Sequence, residues 1–402
     1  MLDNVSKPGL FTASQDEDYS IPNINKLSFL CIFKDRKYKI MGLYVFKKYF
    51  IIVCMLLVCG NIVATEIDYE KFPLSVYTGL QGKHHVQGIA VDKERGYIYF
   101  SFTTKLIKMD FKGNLIGSVE GLTGHLGCLT MNPEDGRIYG SLEYKNDVIG
   151  KGIAGENAAK RENAFYVAVF DPDKITRPNM SAEKDGIMNS VYLKEVVDDF
   201  EAVVVNKGKE FEHRYGCSGI DGMTFAPKVG KKGGKMLLYV SYGIYGDLKR
   251  SDNDYQVLRA YDTSKWGKYE KPLSQENMHK QGPTKCKDLY FVYTGNSDWG
   301  IQNLAYDPAT GNTFAAVYKG KKREFPNYSL FMFDWSKKAK KMQLKGHEGK
   351  VVQKTIALAS KGIYDEKSGV YGWNFNLGTT GLCPLGDGYF YISHPSSKPR
   401  QS

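Results

Sequence analysis

The stretch LTGHLGCLTMNPEDGRIYGS, residues 122–141, repeats the pattern of QGKHHVQGIAVDKERGYIYFS, residues 81–101. Each contains a histidine, a glycine, a short apolar run, an acidic turn and a tyrosine-containing run that ends in serine. Two apolar runs separated by turn residues predict a β-hairpin. The repetition predicts a fold built from several similar β units.

Three further copies of this pattern follow along the chain. They are DGMTFAPKVGKKGGKMLLYVS from Asp221, QNLAYDPATGNTFAAVY from Gln302 and TGLCPLGDGYFYIS from Thr380. Four of the five copies are followed by a third apolar run that ends near an aspartate, and some by a fourth run. Four strands per unit, repeated around an axis, are typical of a β-propeller. We therefore predict an all-β fold, a single β-propeller with five visible blades.

The fifth copy lacks outer strands, because the chain stops soon after it. We expect the N-terminal strand PLSVYTGL, residues 73–80, to pair with it and close the ring, which would leave no open sheet edge. Residues 360–375 either contribute to a sixth blade or form an insertion. The blade count is therefore five or six.

The N-terminal region indicates export. Residues 41–66 carry basic residues, then an apolar core, then a cleavage site after Ala64, which is the layout of a secretory signal peptide. Uncleaved, this segment would be a membrane anchor, although its apolar core is shorter than a spanning helix. Residues 1–40 are polar and irregular, which makes Met41 an alternative start. We assign 41–64 to the signal peptide and 65–402 to the propeller, and expect a secreted or cell-surface monomer.

Cysteine count and charge exclude two classes of site. Of seven cysteines, four follow the signal peptide, and they form either two disulfides or free buried thiols: Cys128, Cys217, Cys286 and Cys383. The sequence contains no CxxC spacing, and we therefore predict no zinc site built from thiolates. The net charge is +11, but the lysine clusters lie in turns and lack interleaved aromatic residues, so we predict no nucleic-acid partner.

The phase of the repeat predicts which side chains converge. In a propeller the first strand of each blade lines the central channel, and the loop entering it forms one rim. The first position of the pattern is occupied by Gln87, Gly127, Asp221, Gln302 and Thr380. His85 and His125 stand two residues earlier in adjacent copies, so we expect them to meet near the axis. Neutral imidazoles beside a carboxylate bind divalent metals or act as general acids and bases.

We accordingly predict Asp221, His85 and His125 as catalytic residues. A polar axis that only holds ordered water is the alternative. Loop aromatic and charged groups near the same rim suit a sugar or an anionic metabolite. The predicted ligand-binding residues are Gln87, Arg214, Tyr215, Trp299, Gln302, Asn303 and Thr380.

At DGMTFAP, residues 221–227, and QNLAYDPATG, residues 302–311, the chain resembles secreted propellers of the NHL and gluconolactonase-like kind. That resemblance implies an axial metal held by a Glu, an Asn and an Asp at inner-strand starts. Asp221 matches the Asp and Asn303 the Asn, whereas Gln87 stands at the Glu position. The amide removes a negative charge, which weakens a hard-cation site. With the two histidines, the predicted metal ligands are Asp221, Asn303, His85 and His125, around one divalent metal.

Two functions follow from these observations. The first is an extracellular hydrolase or lyase with a polar axial site for a small carbohydrate-like or lactone-like ligand, assisted by a metal. The second is a non-catalytic binding propeller that recognises a glycan or protein through tyrosine-rich loops. Whether the protein is an enzyme stays open at this level.

Overall fold

The computed structural model describes residues 72–82, 84–155, 162–386 and 388–394. The polar segment and the signal peptide predicted at the N-terminus lie outside these residues. Of the helices in these ranges, none is both long and apolar enough to cross a membrane. The following description concerns the unit from Pro73 onward.

Short strands dominate this unit, as the tyrosine-rich and glycine-rich composition predicts. In chain order the described strands are β1 Gly88–Asp92, β2 Tyr97–Phe102, β3 Lys105–Asp110, β4 Leu115–Glu120, β5 His125–Met131, β6 Ile138–Tyr144, β7 Ala164–Phe170, β8 Met180–Ser181, β9 Met188–Tyr192, β10 Val203–Asn206, β11 Lys209–Glu212, β12 Cys217–Pro227, β13 Met236–Ile244, β14 Tyr255–Tyr261, β15 Lys271–Pro272, β16 Asp288–Tyr293, β17 Ser297–Asp307, β18 Asn312–Lys319, β19 Leu330–Phe333, β20 Lys340–Gln343, β21 Val352–Thr355, β22 Ile363–Asp365, β23 Val370–Gly372, β24 Leu382–Gly386 and β25 Tyr389–Ile392.

Helices are short and lie in the connections. In the described residues, two are α-helical, α1 Val148–Ala154 and α2 Lys194–Phe200, and two are 3₁₀ turns, Arg214–Gly216 and Thr263–Lys268. α1 begins at Asp147, whose side chain accepts a hydrogen bond from the N–H of Gly150.

Four sheets form the blades of a propeller. Their antiparallel cores are β1–β2–β3–β4, β5–β6–β7–β9, β12–β13–β14–β16 and β17–β18–β19. Each begins with one copy of the repeated hairpin, and the first strands of successive blades contact one another. The mostly β composition and the propeller arrangement are therefore confirmed.

The outer edges of the blades interlock. Strand β8 comes from the second blade and pairs with β4 of the first, and β15 of the third blade pairs with β9 of the second. Strand β21, from the connection after β19, pairs with β16 of the third blade. Each of these strands belongs to an excursion, a connecting segment that leaves its own blade and covers the edge of the preceding sheet. It thereby protects backbone groups that would otherwise be unpaired.

The fifth copy of the pattern forms a two-stranded hairpin, β24–β25. It contacts β17 on one side and β1 on the other. The structure thus shows four blades, and a complete fifth blade with a closed ring stays a prediction.

Two details of the predicted closure need correction. Residues 73–80 form no strand, and the hydroxyl of Tyr391 in the hairpin donates to the carbonyl of Pro73 at 2.8 Å. Residues 360–375 contain β22–β23, which adjoins the fourth blade through a bridge between Leu330 and Trp373. That segment extends an existing blade.

The repeated tyrosine and serine have structural roles. Tyr99, Tyr139 and Tyr239 are fully buried, and Tyr139 meets Phe225 of the next blade edge to face at 5.0 Å. The serine two residues later donates to an inner-strand carbonyl, as Ser141 Oγ does to Asp221 at 2.8 Å. The pattern therefore specifies contacts between neighbouring blades.

The four cysteines named above are free thiols. Cys128 and Cys217 are buried, and burial raises the pKa of the Cys128 thiol to about 11. The alternative with two disulfides is not what the structure shows.

Candidate functional site

The inner strands carry bulges where the repeat places its first position. The register of β12 shifts between Ile220 and Met223, and that of β17 between Ile301 and Asn303. Asp221 and Gln302 are therefore extra residues in their strands. A bulge turns such a side chain away from the regular alternation of the sheet, and here both side chains line the axial cavity.

The cavity has a volume of about 360 Å³. Its polar lining residues are His84, His85, Gln87, Thr103, His125, Glu143, Lys145, Asp221, Gln302 and Tyr318, and its remaining lining residues are Ile149, Gly152, Ile153 and Trp299. This size suits a small molecule rather than a protein segment.

A cluster of three potential metal ligands lies in this cavity. Nδ1 of His125 lies 3.6 Å from Oε2 of Glu143 and 3.6 Å from Oδ1 of Asp221. One ligand atom from each of the three residues lies within 4.8 Å of the others. Nδ1 of His125 is buried and has no hydrogen-bond partner among the described residues. An unpartnered buried nitrogen that faces two carboxylates is unusual in a region without function.

Lys145 is the cation beside this cluster. Its ammonium lies 2.8 Å from Oε2 of Glu143 and 3.6 Å from Asp147, and it donates to the carbonyl of Ser218 at 2.8 Å. Burial alone would lower the pKa of Lys145, but the neighbouring carboxylates outweigh burial and raise it. Lys145 therefore stays charged and compensates part of the negative charge.

The Asp221 carboxyl has a strongly shifted pKa. Burial raises this pKa, and the charge of Glu143 raises it further. His125, Lys145 and the hydrogen bond from Gln302 lower it, and the resulting pKa is about 7. Oδ2 of Asp221 accepts that hydrogen bond from Gln302 Nε2 at 3.1 Å. Such a shift accompanies a local excess of negative charge.

His84 and His85 form another part of the cavity wall. Burial and the proximity of His125 lower the pKa of both imidazoles, which are therefore neutral near pH 7. Nε2 of His85 lies 3.3 Å from the amide nitrogen of Gln87. Since that amide nitrogen can only donate, Nε2 of His85 accepts and the ring proton resides on Nδ1.

The structure brings together most of the residues that the repeat predicts. His85, His125, Asp221, Gln87, Gln302 and Trp299 all line the cavity.

Asn303 is placed elsewhere. It is fully buried, its amide nitrogen donates to the carbonyls of Gln87 and Gln302, and its oxygen accepts from the N–H of Leu382 at 3.2 Å. It connects neighbouring inner strands, and this engagement removes it from the predicted ligand set. Thr380, at the start of the fifth copy, is buried and does not line the cavity that the described residues form.

Arg214 and Tyr215 also lie away from the cavity. Arg214 donates to the buried Asp199 at 2.7 Å. The ring of Tyr215 packs edge to face on Phe291 at 5.0 Å. Both side chains stabilise the third blade, so they do not form the predicted rim.

Glu143, Lys145, Thr103 and Tyr318 are cavity residues that the sequence pattern missed. They lie at or near the ends of second strands, and the hairpin pairs such an end with the start of an inner strand. Glu143 is directly opposite His125 in the register. Counting paired residues outward from the turn of this hairpin would have identified Glu143 from the sequence.

Outside the cavity, Ser190 and His279 resemble a nucleophile and base at first sight. Oγ of Ser190 lies 2.8 Å from Nε2 of His279. However, Nδ1 of His279 accepts from the N–H of Gln281, so Nε2 carries the proton and cannot accept one from the serine. Ser190 is also fully buried, and the pair is therefore structural.

No family model matches the chain, and no curated protein matches it. Among solved structures, a glucose dehydrogenase has 12% identity and a TM-score of 0.32, over 79% of this chain and 95% of that chain. The Dos1 propeller has 13% identity and a TM-score of 0.30, over 65% of this chain and only 49% of that chain. A protein of unknown function from Bacteroides caccae has 10% identity and a TM-score of 0.29, over 70% and 89% of the two chains.

All three TM-scores are below 0.5, so the assignment of the fold depends on the sheet arrangement itself. The NHL and gluconolactonase-like resemblance is not confirmed by these likenesses.

Proposed function

We propose that the axial cavity is the site of a metal-assisted hydrolase that acts on a small, carbohydrate-like or lactone-like molecule. The observation that carries the proposal is the His125–Glu143–Asp221 cluster. Its two separations of 3.6 Å are too long for hydrogen bonds. They are close to the roughly 3.4 Å that separates ligands on a tetrahedral zinc ion.

The donor types indicate the class of metal. One imidazole and two carboxylates suit zinc and other first-row divalent ions, whereas calcium and magnesium prefer oxygen alone. Glu143, Asp147 and Asp221 supply three carboxylates around the Lys145 ammonium. A divalent cation would balance the remaining negative charge.

His125, Glu143 and Asp221 would hold the metal, which would supply a bound water of lowered pKa as the nucleophile. Hydrolysis of a lactone would then add the water oxygen to the acyl carbon while the bond from that carbon to the ring oxygen breaks. The ring oxygen takes up the proton that the water loses. His85, a neutral imidazole lining the cavity, is proposed to carry this proton.

The first experiment measures metal binding. Cobalt(II) titrated into metal-free protein should give one equivalent of binding with the visible absorption of a tetrahedral site, and zinc should displace it. Glu143→Gln and Asp221→Asn each remove a charged ligand and should weaken binding by at least the roughly 10- to 100-fold that loss of an outer-shell partner causes. Glu212→Gln, on an exposed strand, is the matched control. Absence of stoichiometric binding by the unaltered protein would refute the metal site.

The second experiment measures activity on a panel of sugar lactones by pH-stat. Activity that requires zinc or cobalt, and that is lost in Asp221→Ala while the circular dichroism spectrum is unchanged, supports the hydrolase. Ligand binding that survives Asp221→Ala without metal would favour the non-catalytic binding propeller instead.

Export, a fifth blade and a monomeric state belong to the same proposal. Cleavage after Ala64 would give a mature chain that begins at Thr65, and N-terminal sequencing of the exported protein tests this. Sedimentation of that mature protein tests the monomer.

A further inference from the structure

Trp299 differs in its surroundings from Trp266 and Trp335, which are part of the core. Trp266 and Trp335 are buried, and Trp335 meets Tyr239 edge to face at 4.8 Å in the core. Trp299 is only partly buried and lines the axial cavity. A partly exposed aromatic residue that lines a polar cavity is available to a ligand.

The backbone holds Trp299 in an unfavourable conformation. Its φ is 64°, in the left-handed region that residues with a bulky side chain rarely adopt. Gly300 follows with φ 65°, and a side chain there would overlap the carbonyl of Tyr242. Strained conformations that the surroundings enforce are concentrated at binding and catalytic sites.

Neighbouring contacts connect Trp299 to groups around the metal-ligand cluster. The ring of Tyr245 meets it at 5.6 Å, and the hydroxyl of Tyr245 donates to Asp147 at 2.9 Å. Gln302 donates both to the carbonyl of Trp299 at 2.9 Å and to Asp221. The side chain of Gln302 therefore connects the backbone of Trp299 to Asp221, one of the proposed metal ligands.

The remaining walls define what else the ligand must offer. Imidazole and amide groups come from His84, His85, Gln87 and Gln302, whereas the lining cation Lys145 is engaged by Glu143 and Asp147. An anionic ligand would meet carboxylates without a free cation among the described lining residues. An uncharged ligand with many hydroxyl or carbonyl groups suits these walls.

We infer that Trp299 is the specificity-determining residue of the cavity, and that it selects uncharged cyclic sugars or their lactones by packing against the C–H face of the ring. This inference rests on the proposed function and deepens it. A closed ring presents a flat apolar face to the indole and directs its polar groups to the imidazoles and amides opposite. An open-chain polyol of similar size has the same hydroxyl groups but no such face, and would lose freedom on binding.

Calorimetry with the full mature protein tests this inference. The probes are D-glucose, D-galactose, D-xylose and glucono-1,5-lactone, each compared with the uncharged open-chain alditol of the same carbon chain. We expect at least one ring compound to bind about tenfold more tightly than its open-chain counterpart. Trp299→Asn should abolish this difference, while Trp299→Phe should keep most of it.

The choice of variants distinguishes loss of the aromatic side chain from failure of the protein to fold. Asparagine tolerates the left-handed conformation better than other non-glycine residues, so Trp299→Asn should fold, and its cobalt(II) binding should equal that of the unaltered protein. Equal affinity for ring and open-chain compounds, no binding of any ring compound, or unchanged discrimination in Trp299→Asn would overturn the inference. Because metal binding is measured separately, these outcomes leave the metal site standing, whereas absent metal binding with intact ring discrimination would refute only the proposed hydrolase.

Discussion

Nδ1 of His125 lies 3.6 Å from Oε2 of Glu143 because these two residues are directly opposed in the hairpin β5–β6. The bulge of the neighbouring inner strand adds Asp221 from the third blade at the same distance. The cluster thus depends on one local pairing and one contact between blades. Its geometry is set by backbone positions, and this leads to the first prediction.

Gly219→Ala should damage the cluster without altering any proposed ligand. Gly219 has φ 125°, and an added methyl group would overlap Oε1 of Glu143, which accepts from the N–H of Ile220. Displacing the carboxylate should weaken cobalt(II) binding by about tenfold or more. Gly233→Ala, at a position with open space, should leave affinity unchanged. Equal affinities in the two variants would show that Glu143 does not contribute to binding.

Asp199→Asn should strongly destabilise the third blade. The buried Asp199 accepts from Arg214 at 2.7 Å, Arg259 at 2.7 Å and Tyr242 at 2.6 Å. Removing its charge leaves Arg259 buried with less compensation, at a cost of about 3–5 kcal/mol.

The adjacent Asp198 is the matched control, since its pair with Lys194 is exposed. Asp198→Asn should lower the free energy of unfolding by no more than about 0.5 kcal/mol. Urea unfolding of both variants makes the comparison. Similar losses would mean that the buried network contributes little.

The charge of Asp288 should stabilise the folded protein at neutral pH and cease to do so at acid pH. Burial alone would raise its pKa, but Lys354 and Lys228 lower it below the ordinary value of 3.8. A carboxylate with a lowered pKa in the folded state stabilises the protein above pH 3.8, and that contribution disappears as pH falls through the folded pKa.

Asp288→Asn should therefore be less stable by about 1 kcal/mol at pH 7, and the difference should shrink toward pH 3. Lys354 lies on β21, the strand that the excursion after β19 adds to the third blade. Denaturant midpoints at pH 3 and pH 7 test this. A difference that stays constant with pH would contradict the assigned charge pair.

Local pattern explains why most of the cavity was predictable. The repeat fixes the phase of each inner strand, so equivalent residues such as His85 and His125 reach the same end of the channel. The ligand role that the gluconolactonase-like resemblance implies for Asn303 is not met, because Asn303 directly follows Gln302 and adjacent positions of a strand face opposite ways. The prediction of a rim position failed for Arg214 and Tyr215, since the distant Asp199 and Phe291 hold them in the third blade.

The sequence by itself determined the hairpin unit, its repetition around an axis and the phase that directs histidine, glutamine and aspartate inward. These features depend on residues close together in the chain, where turn chemistry and alternation act directly. Only the tertiary structure decided that Lys145 joins the cavity through its contact with Ser218 of the third blade, that excursions cover neighbouring blades, and that the fifth copy is a hairpin. Those outcomes depend on contacts between strands far apart in sequence, and no local pattern encodes which distant groups will meet.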